Sequence, residues 1–92
     1  MNTTLPTFEN YARPGSNYGA HTLRFFDSEG RCYWFSYQTL VALNVPGKGK
    51  IVTENDWGPT TGKHLNIIDG GDKAFRLPRD KFEATVAEWL AA

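Results

Sequence analysis

A thirteen-residue segment, residues 57–69, holds most of the side chains in this chain that could do chemistry. It places small turn-forming residues and hydrogen-bonding side chains at the start of a predicted short helix. The first turn of a helix carries free backbone N–H groups and a neighbouring lysine adds positive charge, so such a segment favours an anion. The predicted binding residues are Trp57, Thr60, Thr61, Gly62, Lys63, His64 and Asn66.

The sequence leaves two interpretations of this segment open. Residues 58–64 are similar to a phosphate-binding loop, but the spacer is one residue short, and His64 stands where a magnesium-binding serine or threonine is required. That departure argues against nucleotide hydrolysis and leaves binding of a nucleotide or phosphorylated small molecule as one interpretation. In the other interpretation the segment is a structural turn, in which Gly62 allows close approach of Trp57 and Lys63 is solvated.

Other residue types with chemical potential are scarce. His21 and His64 are the only histidines, and no spacing with Cys32 or the carboxylates is typical of a zinc site. His64 with Asp69 or Asp56 could serve as a general base, but no nucleophile motif accompanies it, so a surface histidine is the favoured prediction. Cys32 falls inside a predicted strand and is expected to be a buried structural thiol. We therefore expect no enzyme activity, no metal and no cofactor.

Composition restricts the class of protein. Ninety-two residues, with ten acidic and ten basic side chains, make one small domain without a net field that would attract nucleic acid. Three tryptophans, four tyrosines and six phenylalanines provide large areas for a compact core. A single cysteine and the lack of a basic, apolar leader predict a cytoplasmic protein. No apolar run approaches the ~20 residues of a membrane span.

The elements that must position the binding segment begin with an arm and a sheet. Residues 1–20 are rich in proline and glycine and are predicted to form an extended arm, whereas residues 21–92 form a single α+β domain. Three aromatic residues are expected to anchor the arm: Phe8, Tyr11 and Tyr18. Two predicted hairpins, residues 21–37 and 39–54, give a small antiparallel meander of about four strands.

Two helices and a brief strand follow the meander. The short helix is predicted to be capped by Thr60 or Thr61 and to end where Gly70 supplies a positive φ. Its buried face carries Leu65 and Ile68, three residues apart. Residues 73–77 are predicted to form a brief strand before a C-terminal amphipathic helix packed on the sheet. The apolar face of that helix consists of Phe82, Val86, Trp89 and Leu90.

Period-two alternation divides the second strand of the meander between two faces, both of which carry aromatic residues. One face holds Tyr33, Phe35 and Tyr37, and the other holds Cys32, Trp34 and Ser36. Either the sheet is covered on both sides, or the first set forms an exposed aromatic surface for a partner. Together with Arg24, Arg31 and Lys50, that surface suggests single-stranded nucleic-acid binding, which the zero net charge disfavours.

Two sequence blocks carry a family resemblance. Residues 33–42 contain the pattern Tyr-x-Phe-Ser-Tyr, and residues 54–71 contain Trp-Gly-x-Thr-Thr-Gly-Lys-His-Leu-Asn. Over residues 15–90 the chain resembles a family of small uncharacterised proteins from bacteriophages and mobile elements. That resemblance implies a phage or mobile-element origin and a bacterial host cell, and it brings no activity with it.

A shorter run carries a second resemblance. Residues 61–66 are similar to the helix start of the small lysyl-tRNA-synthetase C-terminal type module, which has the form Ser/Thr-Gly-Lys-x-x-Asn. In that module a strand meander leads into the helix. This resemblance implies a small β-sheet with a packed helix and a nucleic-acid-associated role.

These observations predict a small non-catalytic binding protein. The small size, the lack of catalytic groups and the phage resemblance favour action on a host protein, for example an inhibitor of a bacterial defence component. The first alternative is a module that holds a nucleotide or another small anionic ligand at residues 57–66. Single-stranded nucleic-acid binding is the second alternative, and no membrane partner is expected.

Overall fold

The computed structural model describes residues 5–11 and 22–91. Within them the chain forms five β-strands, two α-helices and one short 3-10 helix. The strands are β1 (Thr7–Asn10), β2 (Thr22–Phe26), β3 (Cys32–Ser36), β4 (Thr39–Val45) and β5 (Gly49–Val52). The helices are α1 (Pro59–Asp69), the 3-10 helix Lys73–Phe75 and α2 (Arg79–Ala91).

The five strands form one antiparallel sheet in the order β1-β2-β3-β4-β5. The predicted α+β class is confirmed, but the sheet has five strands where the sequence predicted about four. The additional strand is β1, which lies in the arm and pairs with β2 so that Phe8 is opposite Phe25. Tyr11 of the arm packs against the core, and Tyr18 lies outside the described residues.

The β2–β3 turn follows the predicted turn chemistry. Asp27 Oδ1 accepts hydrogen bonds from the backbone N–H groups of Glu29 and Arg31, at 2.9 and 3.0 Å. Gly30 has φ +83°, the left-handed conformation that glycine adopts at no steric cost. The side chain of Asp27 and the glycine together fix the register in which β2 and β3 pair.

The main core lies between one face of the sheet and α1. Cys32, Trp34 and Ala42 are buried on that face, together with Leu65 and Ile68 from the helix. The predicted inward face of α1 is therefore confirmed, and burial of each such leucine or isoleucine stabilises the fold by about 2 kcal/mol. The helix ends as predicted at Gly70, which is in the left-handed conformation.

Cys32 provides a test of this core. Its side chain is buried, as predicted, and burial raises the pKa of the thiol to about 11. Because the thiolate is the reactive form, we expect a thiol reagent to label the native protein roughly a hundredfold more slowly than the protein in denaturant. Equal labelling rates in the two conditions would contradict this packing.

The prediction of a brief strand over residues 73–77 is wrong. The Asp72 side chain accepts from the N–H of Ala74 at 3.3 Å and begins a 3-10 helix there. Only Leu77 meets the sheet, through an isolated parallel bridge to Thr53. Pro78 follows at once and has no N–H to continue a ladder.

The apolar face of α2 is covered only at its start. Phe82 is fully buried, whereas Val86 and Trp89 are half-buried and Leu90 is exposed. Arg79 holds the first turn, because its Nη1 donates to the carbonyl of Leu40 at 2.8 Å. The predicted apolar face of α2 is therefore fully buried only at its first residue, and the prediction extended the buried face too far toward the C-terminal end of the helix.

Candidate functional site

The start of α1 is organised by a side chain that the sequence did not single out. Asn55 Oδ1 accepts from the N–H groups of Trp57 and Gly58, at 3.0 and 3.2 Å, and Asn55 Nδ2 donates to the Gly58 carbonyl at 2.9 Å. Gly58 occupies the N-cap position and Pro59 follows it as the first helical residue. Asn55 thus closes the loop that leads into the helix.

The predicted capping role of Thr60 or Thr61 is wrong. None of the described side chains caps α1, and both threonines lie inside the helix. Thr61 is buried and its hydroxyl lies 3.2 Å from Ser36 Oγ on β3. Proline explains the shift, because its fixed φ suits the first helical position and therefore starts the helix at Pro59.

His64 also lies in the core, and its predicted surface position is wrong. Its Nδ1 is 2.7 Å from Ser36 Oγ, and its ring contacts those of Tyr11 and Tyr37, with centroids 6.4 and 5.9 Å away. A hydroxyl beside a histidine nitrogen is the arrangement of a nucleophile and its base. Ser36 is only 3% exposed and His64 is 0% exposed, so a substrate has no access to this pair.

Helical spacing contained a signal for this burial. Thr61, His64, Leu65 and Ile68 recur at i, i+3, i+4 and i+7, which is one face of a helix. The prediction took only Leu65 and Ile68 as buried, and it placed Thr61 at the cap and His64 at the surface. Ser36 could not be found in this way, because it lies 28 residues from His64 on another element.

The remaining predicted binding residues lie at or near the surface. Trp57 is exposed, and the guanidinium of Arg79 lies over its ring at 5.3 Å from the centroid. Lys63 is exposed and Thr60 is half-buried. The predicted close approach of Trp57 to Gly62 is replaced by Asn55, whose Nδ2 would lie 3.0 Å from a Cβ at that glycine.

Gly62 and Asn66 border a surface cleft of about 300 Å³. It lies between the chain that follows β5, the helix α1 and the segment of the 3-10 helix. Its lining residues are Glu54, Asn55, Gly62, Asn66, Lys73 and Arg76. Four of these six residues were not predicted from the sequence, because they are brought together only by the return of the chain after α1.

A buried ion pair forms one wall of this cleft. Arg76 Nε and Nη2 donate to the two carboxylate oxygens of Asp69 at 2.6 and 3.0 Å, and Nη2 also donates to Asn66 Oδ1 at 3.0 Å. Burial alone would raise the pKa of Asp69, but the hydrogen bonds from Arg76 and from the Gly71 N–H outweigh it and hold the pKa below its usual range. Arg76 is correspondingly held in its charged form.

The sheet face opposite α1 is aromatic and partly open. Phe8, Phe25 and Tyr33 are directly opposite one another across β1, β2 and β3, and the Phe25 and Tyr33 rings are 5.7 Å apart. Exposure falls along this row, from 70% at Phe8 to 0% at Leu43 on β4. We define the aromatic face as five residues: Phe8, Leu23, Phe25, Tyr33 and Phe35.

Tyr37 does not belong to this face, contrary to the predicted alternation. Strand β3 ends at Ser36, and Tyr37 occupies the turn with φ +57°, where its ring contacts His64. Arg24 and Lys50 lie on the other side of the sheet, with both side chains over the Trp34 ring. The residues considered for nucleic-acid binding therefore do not form one surface.

A charged cluster borders the aromatic face. The Tyr33 hydroxyl donates to Asp27 Oδ2 at 2.8 Å, and Arg31 Nε donates to the same oxygen at 2.6 Å. Burial would raise the pKa of Asp27, but these hydrogen bonds hold it below its usual range. For Tyr33, burial and the hydrogen bond to the carboxylate both raise the pKa, so its hydroxyl stays a donor at neutral pH.

No group of three or more metal-binding side chains comes together in residues 5–11 and 22–91. Within the same residues, neither helix is long and apolar enough to cross a membrane.

Comparison with known proteins gives a family without an assigned activity. The model of a family of unknown function, DUF8033, matches residues 7–84. The match therefore includes all five strands, α1 and the first half of α2. No curated protein and no solved structure matches the chain.

Proposed function

Because this chain belongs to the DUF8033 family of unknown function, we propose a function from its own surface: a non-catalytic protein that binds another protein through the aromatic face. The observation that supports this proposal is the row from Phe8 to Tyr33, which leaves a phenylalanine 70% exposed on a sheet. Soluble proteins rarely leave contiguous apolar surface uncovered without a partner.

The composition of the aromatic face fits a protein partner. Aromatic residues are enriched at the centres of protein interfaces, where their area excludes water. Asp27 and Arg31 provide a polar, charged margin beside Tyr33, the usual arrangement of an apolar centre and a polar rim. A partner with an apolar patch bordered by charges of both signs would complement this surface.

Docking on the face is favoured over addition of a strand to the edge at β1. Pro6 precedes β1, and Glu9 within it forms an ion pair with Arg24 of β2. Proline and charged side chains on an edge strand oppose pairing with another chain. The partner is therefore expected to contact side chains of the sheet more than its backbone edge.

For the partner we propose a protein of the bacterial host, such as a defence component, with this chain acting in the host cytoplasm as a phage or mobile-element product. The family resemblance in the sequence supports that origin. Small proteins that act by occupying a surface need no catalytic group, and the buried Ser36–His64 pair offers none to a substrate.

The experiment compares two exposed phenylalanines. Phe8→Ser alters the aromatic face, and Phe75→Ser alters a phenylalanine of similar exposure elsewhere, 79% against 70%, in the 3-10 helix. A partner would be captured from a bacterial lysate, identified by mass spectrometry, purified and titrated by calorimetry. We expect Phe8→Ser to weaken binding more than about tenfold, as loss of an aromatic side chain that a partner buries does.

The Phe75→Ser control should bind within about twofold of the parent, and both variants should melt within a few degrees of it. Binding by Phe8→Ser at the parent's affinity would show that the aromatic face does not contact the partner. Equal loss in both variants would show that the effect is not specific to this face.

The geometry gives less support to the two alternatives. In the predicted nucleotide site at residues 57–66, Thr61 and His64 are buried in the core and cannot contact a ligand. Gly62 and Asn66 still line a surface cleft. Single-stranded nucleic acid would need cations beside the stacking aromatics, but Arg24 lies on the opposite side of the sheet and Arg31 is paired with Asp27 and Glu29.

A further inference from the structure

We propose that the cleft beside α1 binds a small zwitterionic ligand of the α-amino acid class. The cleft is about 300 Å³, at the lower end of the range for small-molecule sites, which suits a ligand of a few to about ten heavy atoms. Its lining is polar and charged, so its ligand should be held by hydrogen bonds and charge. This inference does not depend on the protein-binding proposal, because the cleft and the aromatic face share no residue.

Arg76 is fixed in place before any ligand arrives. Its Nε and Nη2 are occupied by Asp69 and Asn66, and its side chain is only 5% exposed. No residue in the described segments accepts from Nη1, and Arg76 lines the cleft. A guanidinium held in this way can donate to a ligand carboxylate without losing side-chain entropy on binding.

Charges on the cleft are balanced and not paired with each other. Lys73 and Glu54 both line it, and neither forms an ion pair with another described residue. Lys73 adds one positive charge beside Arg76, Glu54 provides one negative charge, and Asp69 lies behind the arginine. A ligand with a carboxylate at Arg76 and Lys73 and an ammonium group at Glu54 matches this distribution better than a simple anion does.

Gly62 lines the cleft and leaves room for Asn55 beside it. A Cβ there would approach Asn55 Nδ2 to 3.0 Å, and Asn55 holds the loop at the start of α1. Glycine inside a helix costs about 1 kcal/mol relative to alanine, so its presence is explained by this close approach. Asn66 accepts from Arg76 with its oxygen, which leaves its amide N–H groups available as donors.

The first test asks whether the ligand needs a carboxylate and an ammonium group on the same molecule. Amide chemical shifts of the full chain would be followed during titration with L-alanine and L-glutamine, then with propionate and with ethylamine at matched ionic strength. We expect saturable shifts at residues 54, 55, 66 and 73 with the amino acids, and at least tenfold weaker binding of the other two compounds. Equal binding of propionate, or no saturable shift with either amino acid, would overturn the proposal.

Matched variants assign the effect to the cleft. Glu54→Gln and Lys73→Met change exposed residues of the lining, whereas Glu88→Gln and Lys81→Met make the same changes on α2. We expect the first pair to bind the amino acid at least tenfold more weakly and the second pair to bind within twofold of the parent. Similar affinity in all four variants would place the ligand elsewhere and contradict the assignment.

Discussion

Replacing Phe82 with alanine is expected to remove most of the free energy of unfolding of the protein. Phe82 is fully buried and is the only residue of α2 that is. Loss of a buried phenylalanine costs about 3 to 5 kcal/mol, because the removed area and the cavity both destabilise the fold. A domain of this size has about 5 kcal/mol of stability in total. Urea unfolding followed by tryptophan fluorescence would measure the change.

Trp89→Ala is the matched comparison on the same helix. The sequence pattern placed Trp89 on the buried face, but the residue is only half-buried, so its truncation should cost about 1 to 2 kcal/mol. A larger loss for Trp89→Ala than for Phe82→Ala would show that α2 is held by its last turns and not by its first.

Replacing Asp69 with alanine is expected to cost about 3 kcal/mol, because it leaves the buried Arg76 guanidinium without its bidentate partner. Asp56→Ala, at an exposed position on the loop before α1, is the control and should change stability by less than about 0.5 kcal/mol. Chemical denaturation at neutral pH would compare the two. Equal stability of the two variants would mean that the ion pair contributes nothing.

The Asp69–Arg76 ion pair also predicts how the stability of the fold depends on pH. The folded pKa of Asp69 lies below its ordinary value of 3.8, so the carboxylate stabilises the fold above that value. This contribution is lost as the pH falls from about 4 through the folded pKa, where the carboxylate becomes protonated. The parent should therefore lose more stability than Asp69→Ala over that interval, and parallel curves would contradict the assignment.

Local chemistry explains the part of the fold that sequence reasoning predicted correctly. The β2–β3 hairpin follows from Asp27 and Gly30, which act within four residues of one another. The inward face of α1 follows from the spacing of Leu65 and Ile68, and burial of Cys32 follows from its place in a strand. Each of these features depends on neighbours in the sequence.

Features that depend on distant partners could not be predicted. Strand β1 has four residues and becomes a strand because β2 offers it a pairing edge. The Ser36–His64 hydrogen bond joins β3 to α1, and the cleft exists only because Arg76 returns to Asp69 and Asn66 after the turn at the end of α1. Residue types and spacing within one segment carry no information about such contacts.

The strand order of the sheet has a consequence for how the chain assembles. Within residues 5–11 and 22–91 every strand is paired with the next strand along the chain, so the sheet has no crossover there and forms through four successive pairings. Local pairings cost little loop-closure entropy, and topologies built from them fold quickly for their size. All five strands also precede α1, so a chain emerging from the ribosome can complete its sheet before either helix exists to cover it.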